Sequence, residues 1–285
     1  MSETTVAVLY PTRGRAEQAK ELAGDMLAQL YPDGVRVTLV ASVEDSDHET
    51  IEVMTGLAEK HPGNVVILAR APLTTSIYGW NQAYAYARDV AEWVVLGADD
   101  VVWKEGWLQT ALDTARERGA ALVGLHDGHD PHRKYGPHYI ARVDFLEEHM
   151  GGVMSVPHYG SWGSDYEVSA RADRAGLYAS APGTPINHLH PVWGLSERDD
   201  TYNAAWHKHE ADRVLRQKRA RQGYPTDYEP AQLEGEVINA LSVIDATDAA
   251  AALADEHGLD LHAIKGSGVG GRILKGDVES VLEEE

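Results

Sequence analysis

The chain has 285 residues, of which 43% are hydrophobic and 25% charged, a globular composition with room for one large domain and one small one. Its formal net charge of −20 argues against a general attraction to nucleic acids or acidic membranes, and the absence of cysteine excludes disulfides and thiolate metal sites. No apolar run approaches the roughly 20 residues of a membrane helix, and the N-terminus lacks signal-peptide features. A cytoplasmic protein without membrane contacts is the simplest expectation.

The first half of the chain alternates apolar runs with segments of helical periodicity. The predicted strands are Val6–Tyr10, Val35–Ser42, Val65–Leu68, Trp93–Leu96 and Ala121–Leu125. The predicted helices between and after them are Arg15–Leu30, Glu49–His61, Ile77–Ala91 and Gly106–Arg118. Strands separated by single helices predict an α/β fold, with a mainly parallel sheet and helices on both faces.

Charged residues follow several of these strands. Thr12-Arg13-Gly14-Arg15 follows the first strand, Glu44, Asp45 and Asp47 follow the second, and Asp99-Asp100 follows the fourth. Because ligands of parallel sheets bind beyond the carboxyl ends of the strands, these groups are expected to converge at one edge. Such a mixture of acids and bases suits a metal-bound nucleotide diphosphate.

The second half is less regular. Residues 128–191 are rich in Gly, His, Pro and aromatics, and a long irregular stretch in a compact domain is usually functional. Residues 199–221 are predicted to form one helix, and the basic residues between His207 and Arg221 form either a solvated face or a phosphate-binding stripe. The predicted domains are 1–221, a linker over 222–243, and a helical unit over 244–285.

Asp99-Asp100 is the strongest local feature. Two adjacent carboxylates at the end of an apolar strand repel each other unless a cation lies between them, and oxygen ligands suit Mg²⁺ or Mn²⁺. The alternative is that they cap the following helix or lie in a solvated turn.

Two histidine-containing segments are candidate metal ligands. His188 and His190 alternate in an extended segment, so both imidazoles are able to face one ion; the alternative is one surface histidine and one packed histidine. The segment from His126 to His132 contains three histidines and two aspartates, and is interpreted as a loop or as lining of the acceptor site.

Trp162-Gly163-Ser164-Asp165 precedes a predicted helix over 166–175. A carboxylate at Asp165 is either the helix N-cap or a general base held at the helix N-terminus. The nearby aromatic residues Tyr159, Trp162 and Trp193 form either a wall that stacks on a sugar or part of the core.

Together these motifs resemble the GT-A type glycosyltransferases, which use nucleotide-diphospho-sugars. The resemblance covers roughly residues 5–195 and rests on the order of Tyr10-Pro11-Thr12-Arg13-Gly14-Arg15, the acidic pair, the Trp-Gly-x-Asp helix start and His-x-His-Pro. It implies a Rossmann-like GT-A fold and Mn²⁺ or Mg²⁺ as cofactor. The implied donor-binding residues are Pro11, Thr12, Arg13, Arg15, Asp45 and Asp99. The implied metal ligands are Asp99, Asp100, His188 and His190, with Asp165 as base and Trp162, Tyr159 and Trp193 at the acceptor.

One departure concerns the metal. The usual motif is Asp-x-Asp, whereas Gly97 precedes Asp99 by two positions and Ala98 precedes Asp100 by two. One carboxylate of the usual pair is therefore missing, and either Asp99 or Asp100 remains as the direct ligand.

The C-terminal unit contains a Gly-x-Gly-x-x-Gly pattern over 266–271, but no strand precedes it, so a dinucleotide site is rejected. Residues 254–261, 265–273 and 277–278 instead resemble the peripheral-subunit-binding domain of dihydrolipoamide acyltransferases. That resemblance implies a small two-helix fold that binds a partner, either protein or DNA.

The predicted function is metal-dependent transfer of a sugar, most simply from a UDP-sugar, to a hydroxyl acceptor. Hydroxymethylated DNA, as in virus-encoded DNA glycosyltransferases, is one candidate acceptor, and it would place the protein in a host cytoplasm. The alternative is a non-catalytic adaptor that binds a nucleotide sugar and acts through its C-terminal unit. A nucleotidyltransferase is disfavoured because the loop after the first strand is short and poor in glycine.

Overall fold

The computed structural model describes residues 3–70, 75–130, 133–234, 236–238, 246–259, 261, 264, 266–268 and 273–284. The chain forms two compact units, Met1–Ala240 and Leu241–Glu285. No helix within the described part of the chain is long and apolar enough to span a bilayer.

The first unit is built on strands and helices that alternate along the chain. Its strands are β1 (Thr4–Pro11), β2 (Val35–Glu44), β3 (Val65–Arg70), β4 (Trp93–Leu96), β5 (Val101–Trp103), β6 (Leu122–Leu125), β7 (His138–Arg142), β8 (Tyr178–Ala181), β9 (Ile186–His188) and β10 (Glu236–Ile238). Its helices are α1 (Ala16–Leu27), α2 (His48–Lys60), α3 (Ser76–Ala87), α4 (Trp107–Arg118), α5 (Val143–Met150), α6 (Ser164–Arg174), α7 (Asp200–Trp206) and α8 (His209–Arg221).

Eight strands form one sheet in the order β10-β3-β2-β1-β4-β7-β6-β8. β1 pairs in parallel with β2 and β4, and β2 pairs in parallel with β3, while β7 and β10 run antiparallel to their neighbours. The central strands read as continuous apolar runs because helices cover both faces of the sheet, and Val8 and Leu9 are accordingly buried. The predicted α/β fold with a mainly parallel sheet is confirmed.

The region 128–191, which the sequence predicts to be irregular, contains β7, α5, α6, β8 and β9. Of these, α6 corresponds to the helix predicted over 166–175. The three strands were not predicted because they have five residues or fewer, too short for a visible period. β7 inserts antiparallel between β4 and β6, a long-range pairing that nothing local specifies.

The predicted helix over 199–221 is two helices, α7 and α8, separated at His207–Lys208. The break lets α8 place Asp212 and Arg219 in buried positions, while α7 brings Tyr202 against His190. Part of the predicted linker over 222–243 also belongs to the first unit, because β10 adds to the edge of the sheet at β3. Residues 235 and 239–243 of that interval lie outside the described residues.

The second unit contains α9 (Asp248–His257) and α10 (Lys275–Glu284). Its small apolar core comprises Ala250, Ala254, Ile264, Ile273 and Val278. The Asp277 carboxylate accepts backbone N–H bonds from Ser267 at 2.9 Å and Leu274 at 2.8 Å, which holds these two residues at the start of α10. Residues 269–272 of the glycine-rich pattern lie outside the described residues.

Candidate active site

A cavity of about 500 Å³ opens at the carboxyl ends of β1 and β4, within the first unit. This is the edge at which a parallel sheet binds its ligands. Residues from every proposed part of the site line it: Pro11, Thr12, Arg13, Arg15, Asp99, Asp100, Trp162, Asp165, His188, His190 and Trp193. The sequence-predicted donor, metal, base and acceptor residues are thus brought together, with two exceptions, Asp45 and Tyr159.

The loop after β1 is fastened to the loop after β2. Arg13 Nη1 donates to Glu44 Oε1 at 3.3 Å, and the backbone N–H of Gly14 donates to Asp47 Oδ2 at 2.8 Å. Asp47 also caps α2 by accepting from the Thr50 N–H. Asp45, between these two acids, is exposed and does not line the cavity, so Glu44 and Asp47 make the contacts to the first loop.

Asp99 and Asp100 have different partners. Arg15 Nη1 donates to Asp99 Oδ1 at 2.9 Å, and Gln18 Nε2 donates to the Asp99 carbonyl at 2.7 Å. Burial raises the pKa of the Asp99 carboxyl to about 6, the Arg15 guanidinium opposes this shift, and the adjacent Asp100 adds to it. The pair does not cap a helix, because the next element is strand β5.

Asp100 faces histidine. His188 Nε2 lies 3.3 Å from Asp100 Oδ2, and His188 Nδ1 lies 3.8 Å from Asp127 Oδ2. Burial acts to raise the pKa of Asp100, but the charge and hydrogen bond of His188 hold it well below its usual range. Burial likewise acts to lower the pKa of His188, and the Asp100 carboxylate reverses this and raises it. β5 and β9 pair with Val101 opposite His188, which fixes this contact.

Gly97 occupies the position of the missing first aspartate if Asp99 is the second aspartate of the motif, and Ala98 occupies it if Asp100 is. A Cβ placed on Gly97 would meet Val8 Cγ1 at 2.7 Å and the Leu9 carbonyl oxygen at 2.8 Å. Contacts that short with backbone of the neighbouring strand leave no space for a carboxylate. Trp80 Nε1 donates to the Gly97 carbonyl at 2.6 Å, which also holds this backbone in place.

No three His, Asp or Glu side chains in the described ranges converge as a ready-made metal site. Asp100 and His188 nevertheless offer an oxygen and an imidazole nitrogen on one wall of the cavity. Mg²⁺ and Mn²⁺ are commonly held by one or two protein ligands together with substrate phosphates, so this donor set fits a metal that arrives with a nucleotide.

The remaining histidines have other partners. His190 Nδ1 accepts from the Val192 N–H at 3.2 Å, and burial lowers the pKa of His190. His126 Nε2 lies 2.9 Å from Ser180 Oγ, and His129 Nε2 lies 2.9 Å from Asn187 Oδ1. The segment 126–132 is therefore loop and cavity lining over its described part; His132 lies outside the described residues.

Asp165 lies in the first turn of α6 and is not its N-cap. The cap position is Gly163, at φ 89°, and no side chain caps the helix. Arg133 Nη2 donates to Asp165 Oδ2 at 2.5 Å, and Arg133 Nε donates to the Tyr135 carbonyl at 2.9 Å. The Asp165 carboxylate, with a side chain 16% exposed, is thereby fixed at the cavity wall.

The aromatic residues separate into two groups. Trp162 lines the cavity between His209 and Arg216, with ring centroids 4.6 Å apart for Trp162 and His209. Trp193 is 45% exposed and stacks on His129 at 5.4 Å. Tyr159 is only 2% exposed, and its hydroxyl donates to the buried Glu167 at 2.8 Å. Its position therefore corrects the expectation that it contacts the acceptor: it is a core residue.

Several residues that line the cavity were not predicted from the sequence. Asp127 follows β6, which runs in the same direction as β4, so the rule that located Asp100 also applies to Asp127. His138 begins the unpredicted strand β7, and burial lowers its pKa to about 4. Tyr202 and Trp206 enter from α7. For His138, Tyr202 and Trp206 no local signal exists, because their place in the wall depends on distant chain pairing.

The sheet order, with a charged cavity at the carboxyl ends of its parallel strands, is that of the GT-A fold. Glycosyltransferase-like family 2 matches residues 4–163, more than half of the chain, and the chain belongs to that family. The e3 binding domain family matches residues 246–279. No curated protein sequence matches the chain.

Solved structures with this fold include a mannosyltransferase and TarS. The mannosyltransferase PcManGT from Pyrobaculum calidifontis, in complex with GDP-Man and Mn²⁺, is 16% identical with a TM-score of 0.61 over 78% of this chain. TarS 1–349 from S. aureus, in complex with UDP-GlcNAc, is 12% identical with a TM-score of 0.52 over 70% of this chain. The alignments cover 65% and 64% of those two proteins, so the chain spans just under two thirds of their length.

Proposed function

We propose that this protein transfers a sugar from a nucleotide-diphosphate donor, most simply a UDP-sugar, to a hydroxyl acceptor with the help of Mn²⁺ or Mg²⁺. One observation carries the proposal. A single cavity is lined by a basic residue for phosphate, Arg15, by a carboxylate and imidazole for a metal, Asp100 and His188, and by a positioned carboxylate, Asp165.

The residues divide the chemistry between them. Pro11, Thr12 and Arg13 belong to the loop that borders the nucleotide, and Arg15 neutralises charge on the departing diphosphate. Asp100 and His188 are the proposed direct metal ligands, because Asp99 is already held by Arg15. The metal, when bound, would supply further stabilisation of the leaving-group charge.

Asp165 is the proposed general base. The acceptor oxygen bonds to the anomeric carbon, the bond from that carbon to the diphosphate oxygen breaks, and the hydroxyl proton passes to the Asp165 carboxylate. Arg133 orients that carboxylate through the contact at 2.5 Å. Trp162 and Trp193 border the space left for the acceptor.

The acceptor is proposed to be a macromolecule, with hydroxymethylated DNA as the candidate to test. The second unit would bind the acceptor or a protein partner, and its match to the e3 binding domain favours protein. The basic run on α8 does not form a continuous phosphate stripe, since Arg219 is buried against Glu167 and Arg213 pairs with Glu210. Of this run, Lys208 lines the cavity.

A second candidate is a nucleotide-sugar-binding adaptor without catalysis. Gly97 favours it, because the close contacts there exclude a carboxylate two positions before Asp99. Hydrolysis or transfer of a sugar donor decides between the enzyme and the adaptor, since an adaptor binds the donor and leaves it intact.

The test begins with calorimetric titration of UDP and GDP, with and without Mn²⁺. We expect Asp100→Asn to weaken Mn²⁺-dependent binding at least about tenfold. The control Asp113→Asn, at a partly exposed aspartate on α4 outside the cavity lining, should leave binding unchanged. Asp165→Asn should retain binding and lose about 10²-fold or more in transfer or donor hydrolysis. Equal nucleotide affinity for wild type and Asp100→Asn would refute the metal assignment, and unchanged turnover in Asp165→Asn would refute the base.

A further inference from the structure

Arg15 is held by two carboxylates from distant parts of the chain. Its Nη1 donates to Asp99 Oδ1 at 2.9 Å. Its Nε and Nη2 both lie 2.6 Å from Asp199 Oδ2. One carboxylate oxygen of Asp199 thus occupies the edge of the guanidinium formed by Nε and Nη2.

That edge is the part of an arginine that binds phosphate most strongly, because its two N–H groups point in parallel. A phosphate oxygen and the Asp199 oxygen are unable to accept from the same two N–H groups at once. Asp99, on Nη1, leaves this edge free, and it lies at the end of β4 as a fixed part of the site. Asp199 is therefore the competitor for an incoming anion.

Asp199 also begins α7. Its Oδ1 accepts from the Tyr202 N–H at 2.7 Å, which makes it the N-cap of that helix. α7 supplies Tyr202 and Trp206 to the cavity wall. The residues before it, 192–198, are all exposed, and the Asp199 side chain is itself 42% exposed. The carboxylate is thus accessible to displacement, while its second oxygen has a separate function as the cap.

We infer that Asp199 is an internal competitor of the donor diphosphate at Arg15, and so a residue that sets donor affinity. The inference rests on the proposed function, in which Arg15 contacts the diphosphate. Donor binding breaks the contact between Arg15 and Asp199, and the helix cap at Tyr202 persists.

Asp199→Asn tests this directly, because asparagine keeps the size and the capping oxygen and removes the charge. We expect UDP to bind about twofold to fivefold more tightly in the presence of Mn²⁺, the range set by a partly exposed ion pair. Asp200→Asn is the matched control: it removes the same formal charge one residue away, from an exposed position in the first turn of α7. Asp199→Ser, also a capping residue, should repeat the gain if asparagine perturbs the fold.

A second set of variants distinguishes the specific contact between Arg15 and Asp199 from a general effect of charge. In an Arg15→Gln background, Asp199→Asn should no longer change UDP affinity, because the competition requires the guanidinium edge. An equal gain in both backgrounds, or a gain no larger than that of Asp200→Asn, would overturn the inference. Wild-type protein that binds neither UDP nor GDP would instead refute the proposed function.

Discussion

Replacing Asp212 with asparagine should destabilise the first unit and loosen the loop that carries Trp162. Asp212 lies in α8, is 4% exposed, and accepts three consecutive backbone N–H bonds. The donors are Gly160 at 2.8 Å to Oδ1, Ser161 at 2.8 Å to Oδ2 and Trp162 at 2.9 Å to Oδ2. This one carboxylate fastens α8 to the loop immediately before the α6 N-terminus.

The size of the destabilisation follows from the hydrogen-bonding capacities of aspartate and asparagine at position 212. An asparagine amide has one acceptor oxygen, so at best it retains the Ser161 and Trp162 bonds as neutral ones, and its NH₂ group faces the Gly160 N–H. Losing one charge-assisted bond and weakening two others should cost about 2–4 kcal/mol. For a unit of this size that lowers the melting temperature by roughly 5–15 °C.

Thermal unfolding followed by circular dichroism measures this effect, with Asp113→Asn as the partly exposed control. Calorimetry should show nearly unchanged UDP affinity in the folded variant, because Asp212 holds the loop that carries Trp162, which is proposed to border the acceptor and not the nucleotide. A melting temperature within 2 °C of wild type, a threshold of about 0.5–1 kcal/mol, would refute the reasoning.

Two further predictions concern Gly97 and the second unit. Gly97→Ala should lower the free energy of unfolding by about 1–3 kcal/mol, because the added Cβ would lie 2.8 Å from the Leu9 carbonyl oxygen. An unchanged denaturant midpoint would contradict this, since it would show that β1 and β4 accommodate the methyl group at no cost. A chain ending at Ala240 should retain the melting temperature of the first unit and its UDP affinity, because the two units are separately compact. Loss of UDP binding on this truncation, measured by calorimetry, would show that the second unit belongs to the donor site.

The sequence by itself determined the alternation of strands and helices over the first half of the chain. Hydrophobic periodicity and turn residues are patterns that extend over about ten residues, so β1 to β4 and the helices between them can be predicted without a structure. The rule that ligands bind at the carboxyl ends of parallel strands then placed Arg15 and Asp100 at one edge, and both line the cavity.

The short strands after residue 128 were decided only by the tertiary structure, whereas the helix that follows Trp162 and Gly163 was predicted. β7 has an ordinary local composition and becomes a strand because it fills the space between β4 and β6. His138 enters the site with that strand. The sequence left open whether Tyr159 contacts a sugar or lies in the core, and the tertiary structure places it in the core with its hydroxyl bonded to Glu167.

The contacts that set the chemistry are longer-range still. Arg15 and Asp199 are separated by 184 positions, and Asp100 and His188 by 88. No periodicity or capping signal extends over such distances. Charged side chains find their partners only after the apolar strands have closed the sheet, so the sequence located the charges and the tertiary structure decided which of them meet.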